Sequence, residues 1–170
     1  QLIQFDGVGA IAEIWVNGVR VGGHAGAFST FRFDITDQLR AGASNSIVVK
    51  ADNSKPAPGS STADVIPLGG DFFVHGGLYR GVSLITVDAA QFDTLDHGGP
   101  GLYISTPQVT DAAASVALLA RLRNAGPGRR KLTVNTQILD ADGAVVARDS
   151  APAALTANGT LELRRALMIA

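Results

Sequence analysis

The sequence predicts an all-β protein built from β-sandwiches. Apolar and polar residues alternate in short runs along the whole chain. Turn signals separate these runs roughly every dozen residues, and no helical apolar stripe is sustained over about three turns.

Leu2-Ile3-Gln4-Phe5 opens the chain as a strand. Ile11, Glu13 and Trp15 then alternate with Ala10, Ala12, Ile14 and Val16. Asn17-Gly18 separates that run from Val19-Arg20-Val21, which predicts a hairpin, because both central residues of a type I′ turn need positive φ. Phe31, Phe33 and Ile35 alternate with Arg32 and Asp34, and Ile47–Lys50 reads as another strand. Residues 53–70, "NSKPAPGSSTADVIPLGG", hold three prolines and three glycines and read as a long irregular loop. From Leu78 the chain alternates again, with Leu78, Arg80, Val82 and Leu84 on one side, and this strand ends near Asp88.

Residues 89–101, "AAQFDTLDHGGPG", form a seam, so the expected division is one domain over 1–88 and a second over 89–170. In the second part Val116, Leu118 and Ala120 alternate with Ala117, Leu119 and Arg121, and Leu132, Val134, Thr136 and Ile138 form the next strand. The Asp140–Gly143 turn leads to Val145 and Val146, and Asn158-Gly159 turns into Leu161, Leu163 and Ala166.

Of the 170 residues, 46% are hydrophobic, which easily fills a core, and 14 basic residues nearly balance 15 acidic ones. That balance argues against a nucleic-acid or anionic-membrane surface, which needs a basic excess. There is no cysteine, so disulfides, thiolate metal sites and cysteine nucleophiles are excluded. No apolar run is long enough to span a bilayer, and no signal peptide opens the chain. The first residue is Gln1 rather than methionine, and the start reads as the interior of a longer protein.

The usual catalytic signatures are missing: there is no G-x-S-x-G elbow, no H-E-x-x-H and no phosphate loop. His24, His75 and His97 are far apart and read as surface or turn residues, so neither a metal nor a cofactor is expected. Glycoside hydrolysis needs two carboxylates at a defined separation. The two glutamates, Glu13 and Glu162, each lie in a predicted strand without a carboxylate neighbour, and Asp34, Asp37, Asp140 and Asp142 read as turn-formers. The expected set of catalytic residues is therefore empty. Asn158-Gly159-Thr160 matches a glycosylation acceptor pattern but equally suits a tight turn.

The stretch "GGDFFVHGGLYRGVSL", residues 69–84, holds Asp71, Phe72, Phe73 and His75 just ahead of a strand. Two readings stand side by side. Asp71 caps backbone N–H groups of a turn, or it accepts hydrogen bonds from ligand hydroxyls while aromatic rings meet the apolar face of a sugar. Phe72, Phe73 and Trp15 could supply those rings, with at least one of them filling the core instead. His24 and Phe28, on the glycine-rich "GGHAGAFSTF", carry the same ambiguity.

Three stretches together resemble one family. "FDGVGAIAEIWVNGVRVGGHAGAFSTFRFDIT" (5–36), "VVKADNS" (48–54) and "DFFVHGGLYRGVSL" (71–84) resemble the amino-terminal sugar-binding domain of glycoside hydrolase family 2, which contains β-galactosidases and β-glucuronidases. The resemblance covers roughly residues 2–90 and departs from the pattern at Gly81, where aspartate is common, and at Ala27, where glycine is usual. It implies a jelly-roll β-sandwich followed by an immunoglobulin-like β-sandwich, both expected to be truncated. It also implies a catalytic barrel of the same polypeptide, missing here, that carries two glutamates and reacts with retention.

By the same resemblance Asp71 binds sugar hydroxyls in the glycone subsite, with Phe72, Phe73 and His75 as substrate-binding neighbours, and Arg80 is structural. The expected ligand is a β-galactoside or related glycoside, with galactoside preferred over glucuronide. The alternatives are a free-standing carbohydrate-binding module and a purely structural or assembly segment in which Asp71 only caps its turn. Unpaired strand edges would favour association, so a homo-oligomer is compatible with the reading. A periplasmic or secreted location would suit such an enzyme, although nothing in the segment marks one.

Overall fold

The structure is a computed structural model that describes residues 1–65 and 75–169. The described residues are almost entirely β, with one 3-10 turn at Thr36–Gln38. In chain order the strands are β1 (Leu2–Phe5), β2 (Val8–Gly9), β3 (Ile11–Val16), β4 (Val19–Ala25), β5 (Phe31–Asp34), β6 (Ile47–Asp52), β7 (Gly77–Leu78) and β8 (Val82–Ile85). They continue as β9 (Ala90–Phe92), β10 (Leu102–Val109), β11 (Ala114–Asn124), β12 (Arg130–Leu139), β13 (Val145–Leu155) and β14 (Gly159–Ile169). The chain forms two compact units, Gln1–Val87 with His97–Gly99 and Asp88–Asp96 with Pro100–Ala170.

The first unit holds antiparallel sheets ordered β5-β1-β8 and β4-β3-β6, with β2 paired to β7. Ile3, Phe5 and Phe31 from one sheet meet Ala12, Ile14 and Val16 from the other, with Val8 and Ile35 completing the core. Phe5 and Phe31 stack with ring centroids 5.0 Å apart. This is the expected sandwich, and the period-two pattern of β3 sets its inner face. That face is the one with Ala12, Ile14 and Val16. Trp15 and Glu13 point the other way, so Trp15 is not a core residue.

The Asn17-Gly18 turn has φ of 50° and 84°, as a type I′ turn requires. Asn17 does more than turn the chain. Its Nδ2 donates to the Gln38 carbonyl (2.7 Å) and to Asn45 Oδ1 (2.8 Å), and its Oδ1 accepts from Ser46 N (3.0 Å). The single strand expected from Leu78 is broken into β7 and β8. Between them Gly81 O accepts from Asp6 N (3.0 Å), Tyr79 OH donates to the Ala27 carbonyl, and Arg80 Nη1 donates to the Phe28 carbonyl (2.9 Å).

In the second unit β11 lies between β14 on one side and β9 then β10 on the other, and β12 pairs with β13. Leu122, Ala153 and Leu155 form its core, with Leu132, Val134 and Leu161 packed against them. Asn124 is fully buried and hydrogen-bonded on both sides of its amide. Its Nδ2 donates to the Gly128 and Thr156 carbonyls (2.7 and 2.8 Å), and its Oδ1 accepts from Gly126 N (3.1 Å). A buried amide needs such partners, and here they tie the β11–β12 and β13–β14 connections together at one end of the unit.

Candidate functional site

Of the four residues expected to bind substrate, Asp71, Phe72 and Phe73 lie outside the described residues. His75 is described and exposed, just before β7. The site is therefore built from its flanks, which belong to β2, β6 and β7.

On the upstream side β6 pairs with β3 through its full length and ends at Asp52. The Asp52 carbonyl accepts from Ala10 N (2.9 Å). Its carboxylate accepts from Ser54 N (2.9 Å) and from the Ser61 hydroxyl (2.5 Å). These bonds, with Ser61 foremost, hold the Asp52 carboxyl down to about 2. On the downstream side β7 pairs with β2 in the register Val8↔Leu78 and Gly9↔Gly77. Gly77 has φ +79°, a conformation that favours glycine.

The other singled-out residues have structural partners. His24 stacks on Phe31 (centroids 4.2 Å apart), shares a hydrogen bond with Ser29 Oγ (2.8 Å), and is pushed toward its neutral form by burial. Phe28 is exposed, and its carbonyl is held by Arg80. Trp15 is half-buried on the outer face of β3, across from Arg20 and Val48. Arg32, which sequence alternation leaves on a strand surface, donates to Gln4 Oε1 (2.6 Å) and to the carbonyls of Gly98 and Gly99 (2.7 and 2.9 Å).

Neither glutamate is poised for acid–base chemistry. Glu13 sits between Arg20 (3.3 Å) and Lys50 (3.5 Å). Glu162 sits between Arg121 (3.0 Å) and Arg164 (2.7 Å), and Asp96 takes the other side of Arg121 (2.5 Å). The Asp96 carboxylate beside Arg121 raises that guanidinium's already high pKa, and the hydrogen bond from Tyr103 to Asp96 raises the phenol's. These are ion pairs that brace strands rather than a pair of carboxylates facing a reacting bond.

Residues 1–88 match the family described as glycosyl hydrolases family 2, sugar binding domain. A β-glucuronidase of Bacteroides fragilis is 36% identical over 145 residues, covering 85% of this chain and 19% of that protein. A β-galactosidase of Bacteroides ovatus is 29% identical over 145 residues, covering 85% of this chain and 15% of that protein. Among solved structures, β-glucuronidase 2 of Bacteroides uniformis, covalently bound to cyclophellitol-6-carboxylate aziridine, superposes with a TM-score of 0.89 at 32% identity. That match covers 97% of this chain and 19% of the other. The chain thus spans less than a fifth of the length of these relatives. The three sequence motifs, the β-sandwich of the first unit and these matches agree, and the chain belongs to glycoside hydrolase family 2.

Proposed function

We propose that this chain is the sugar-binding and scaffolding part of a family 2 glycosidase that acts on β-glucuronides. Its catalytic carboxylates lie outside these residues, in a barrel of the same polypeptide. Residues 1–88 are the jelly-roll domain, and residues 89–170 take the place of the immunoglobulin-like domain. Asp71 accepts hydrogen bonds from hydroxyls of the bound sugar, with Phe72, Phe73 and His75 beside it. The observation that carries this reading is the family match over residues 1–88, which includes the Asp71 motif.

A glucuronide is preferred here to the galactoside expected from the sequence alone, because the curated β-glucuronidase of Bacteroides fragilis is 36% identical and the curated β-galactosidase of Bacteroides ovatus 29%, while a solved Bacteroides fragilis structure described as a putative β-galactosidase, at 34% identity, supports the galactoside as the alternative. Hydrolysis with retention proceeds through a covalent glycosyl-enzyme. A sugar-like aziridine held covalently by the Bacteroides uniformis relative supports that course. The engagement of Glu13 and Glu162 by arginine and lysine supports placing the chemistry elsewhere.

Asp71→Asn in the complete polypeptide tests the sugar contact. Loss of a charged acceptor for sugar hydroxyls should lower kcat/KM by roughly 10- to 100-fold with folding unaltered. Unchanged kinetics would assign Asp71 to the turn alone.

A further inference from the structure

Two Asn-Gly pairs occur in the chain, Asn17-Gly18 and Asn158-Gly159. Both asparagines hold nearly the same left-handed backbone, with φ of 50° and 48°. Their side chains are held very differently. Asn17 is half-buried, and its amide is tied at both ends. Its Nδ2 donates to Gln38 O and Asn45 Oδ1, and its Oδ1 accepts from Ser46 N. Asn45 is anchored in turn, since it donates to the Arg40 and Ala43 carbonyls and accepts from Arg40 N. Asn158 is exposed, and among the described residues its side-chain amide has no hydrogen-bond partner. Only its backbone N–H is engaged, donating to Gly126 O (3.0 Å). The difference has chemical weight at Asn-Gly. The electrophilic Cγ of asparagine can be reached by the next backbone nitrogen in a five-membered ring, and glycine, lacking Cβ, leaves that nitrogen unshielded.

We propose that Asn158 is a site of self-modification, at which the folded chain deamidates without an enzyme, and that Asn17 is protected from the same reaction by its hydrogen bonds. The Gly159 nitrogen gives its proton to a base in solvent and bonds to Asn158 Cγ. The Cγ–Nδ2 bond breaks, and Nδ2 leaves as ammonia. Water then opens the cyclic imide at either carbonyl. Opening at Cγ gives aspartate, and opening at the backbone carbon gives isoaspartate, in which the main chain runs through Cβ and Cγ. Either product puts a negative charge into the β13–β14 connection. Isoaspartate also adds one carbon to the main chain beside the bond from Asn158 N to Gly126 O, at the end of the unit where Asn124 holds Gly126 and Thr156. Asn17 must first break three hydrogen bonds before its Cγ can turn toward Gly18 N, and local opening of that kind slows the reaction by at least about 10-fold.

The test incubates the complete polypeptide in warm, mildly alkaline buffer and follows both sites by tryptic peptide mass mapping. Residues 149–164 form one tryptic peptide in which Asn158 is the only amide side chain, so conversion of amide to acid there reports that site alone. In the folded protein Asn158 should convert at least about 10-fold faster than Asn17, to a mixture of aspartate and isoaspartate. In denaturant the two rates should come within about threefold of each other, because the protection of Asn17 belongs to the fold. Asn45→Ala removes one partner of Asn17 and should speed conversion at Asn17 while leaving Asn158 unchanged. Conversion of Asn158 no faster than that of Asn17 in the folded protein would overturn the proposal. So would a difference that persists in denaturant, since sequence alone would then set it, or an Asn17 rate indifferent to Asn45→Ala.

Discussion

At the scale of single residues, Asp52 carries the first test. Its carboxyl stands near 2 instead of the ordinary 3.8, chiefly because Ser61 donates to it. An acid with a depressed folded-state pKa stabilises the fold above its unfolded value and loses that contribution as pH falls through the folded one. The contribution of Asp52 is therefore complete above pH 3.8 and disappears on acidification toward pH 2. NMR titration of the Asp52 carboxyl should show this low midpoint, and Ser61→Ala should move it up toward 3.8. A midpoint indifferent to Ser61→Ala would remove the hydrogen bond from the account.

The sequence exposes little of this residue-scale detail. Asp34 and Asp140 were legible as turn-formers, and both carboxylates accept local backbone N–H groups. Asn124 and Arg32 were not legible, because most of their partners are backbone carbonyls, which any residue type supplies.

At the scale of elements, what could be read depended on burial. β3 and β11 alternate cleanly because one face of each is buried, and their patterns give both strand and face. β10 was missed. Nearly all of it is exposed, and Pro107 falls where its pairing with β11 is irregular, so no apolar face announced it. β2 and β9 are too short for a period to show.

The β3–β4 hairpin separates conformation from contact. Gly18→Ala places a Cβ in open space at φ +84°, so its cost is backbone strain alone, about 1 kcal/mol. Asn17→Gly keeps the turn but removes the bonds to Gln38, Asn45 and Ser46, and should cost about 1–3 kcal/mol. Chemical denaturation of the two variants should rank them in that order, and equal costs would mean that Asn17 serves only the turn.

At the scale of the whole molecule, each unit has its own core, and the first is the larger. Ile14 is fully buried at its centre, so Ile14→Ala should destabilise the first unit by about 2–5 kcal/mol in equilibrium denaturation. A loss below 1 kcal/mol, of the size expected for an exposed site, would place Ile14 outside the core. The all-β class and most of the strands followed from periodicity and turn chemistry. The functional reading did not, because one aspartate and two phenylalanines before a glycine pair suit a turn as well as a sugar. Only three motifs in fixed order narrowed that choice to a family. The sugar itself was beyond the motifs, which β-galactosidases and β-glucuronidases share.

The measurement that tests the account most directly is a comparison of nitrophenyl β-D-glucuronide and nitrophenyl β-D-galactoside as substrates of the complete polypeptide. The account predicts efficient hydrolysis of the glucuronide, with kcat/KM exceeding that for the galactoside by at least about 100-fold, since a site built around a charged substrate group rejects an analogue lacking it. Preference for the galactoside, or hydrolysis of neither, would contradict it.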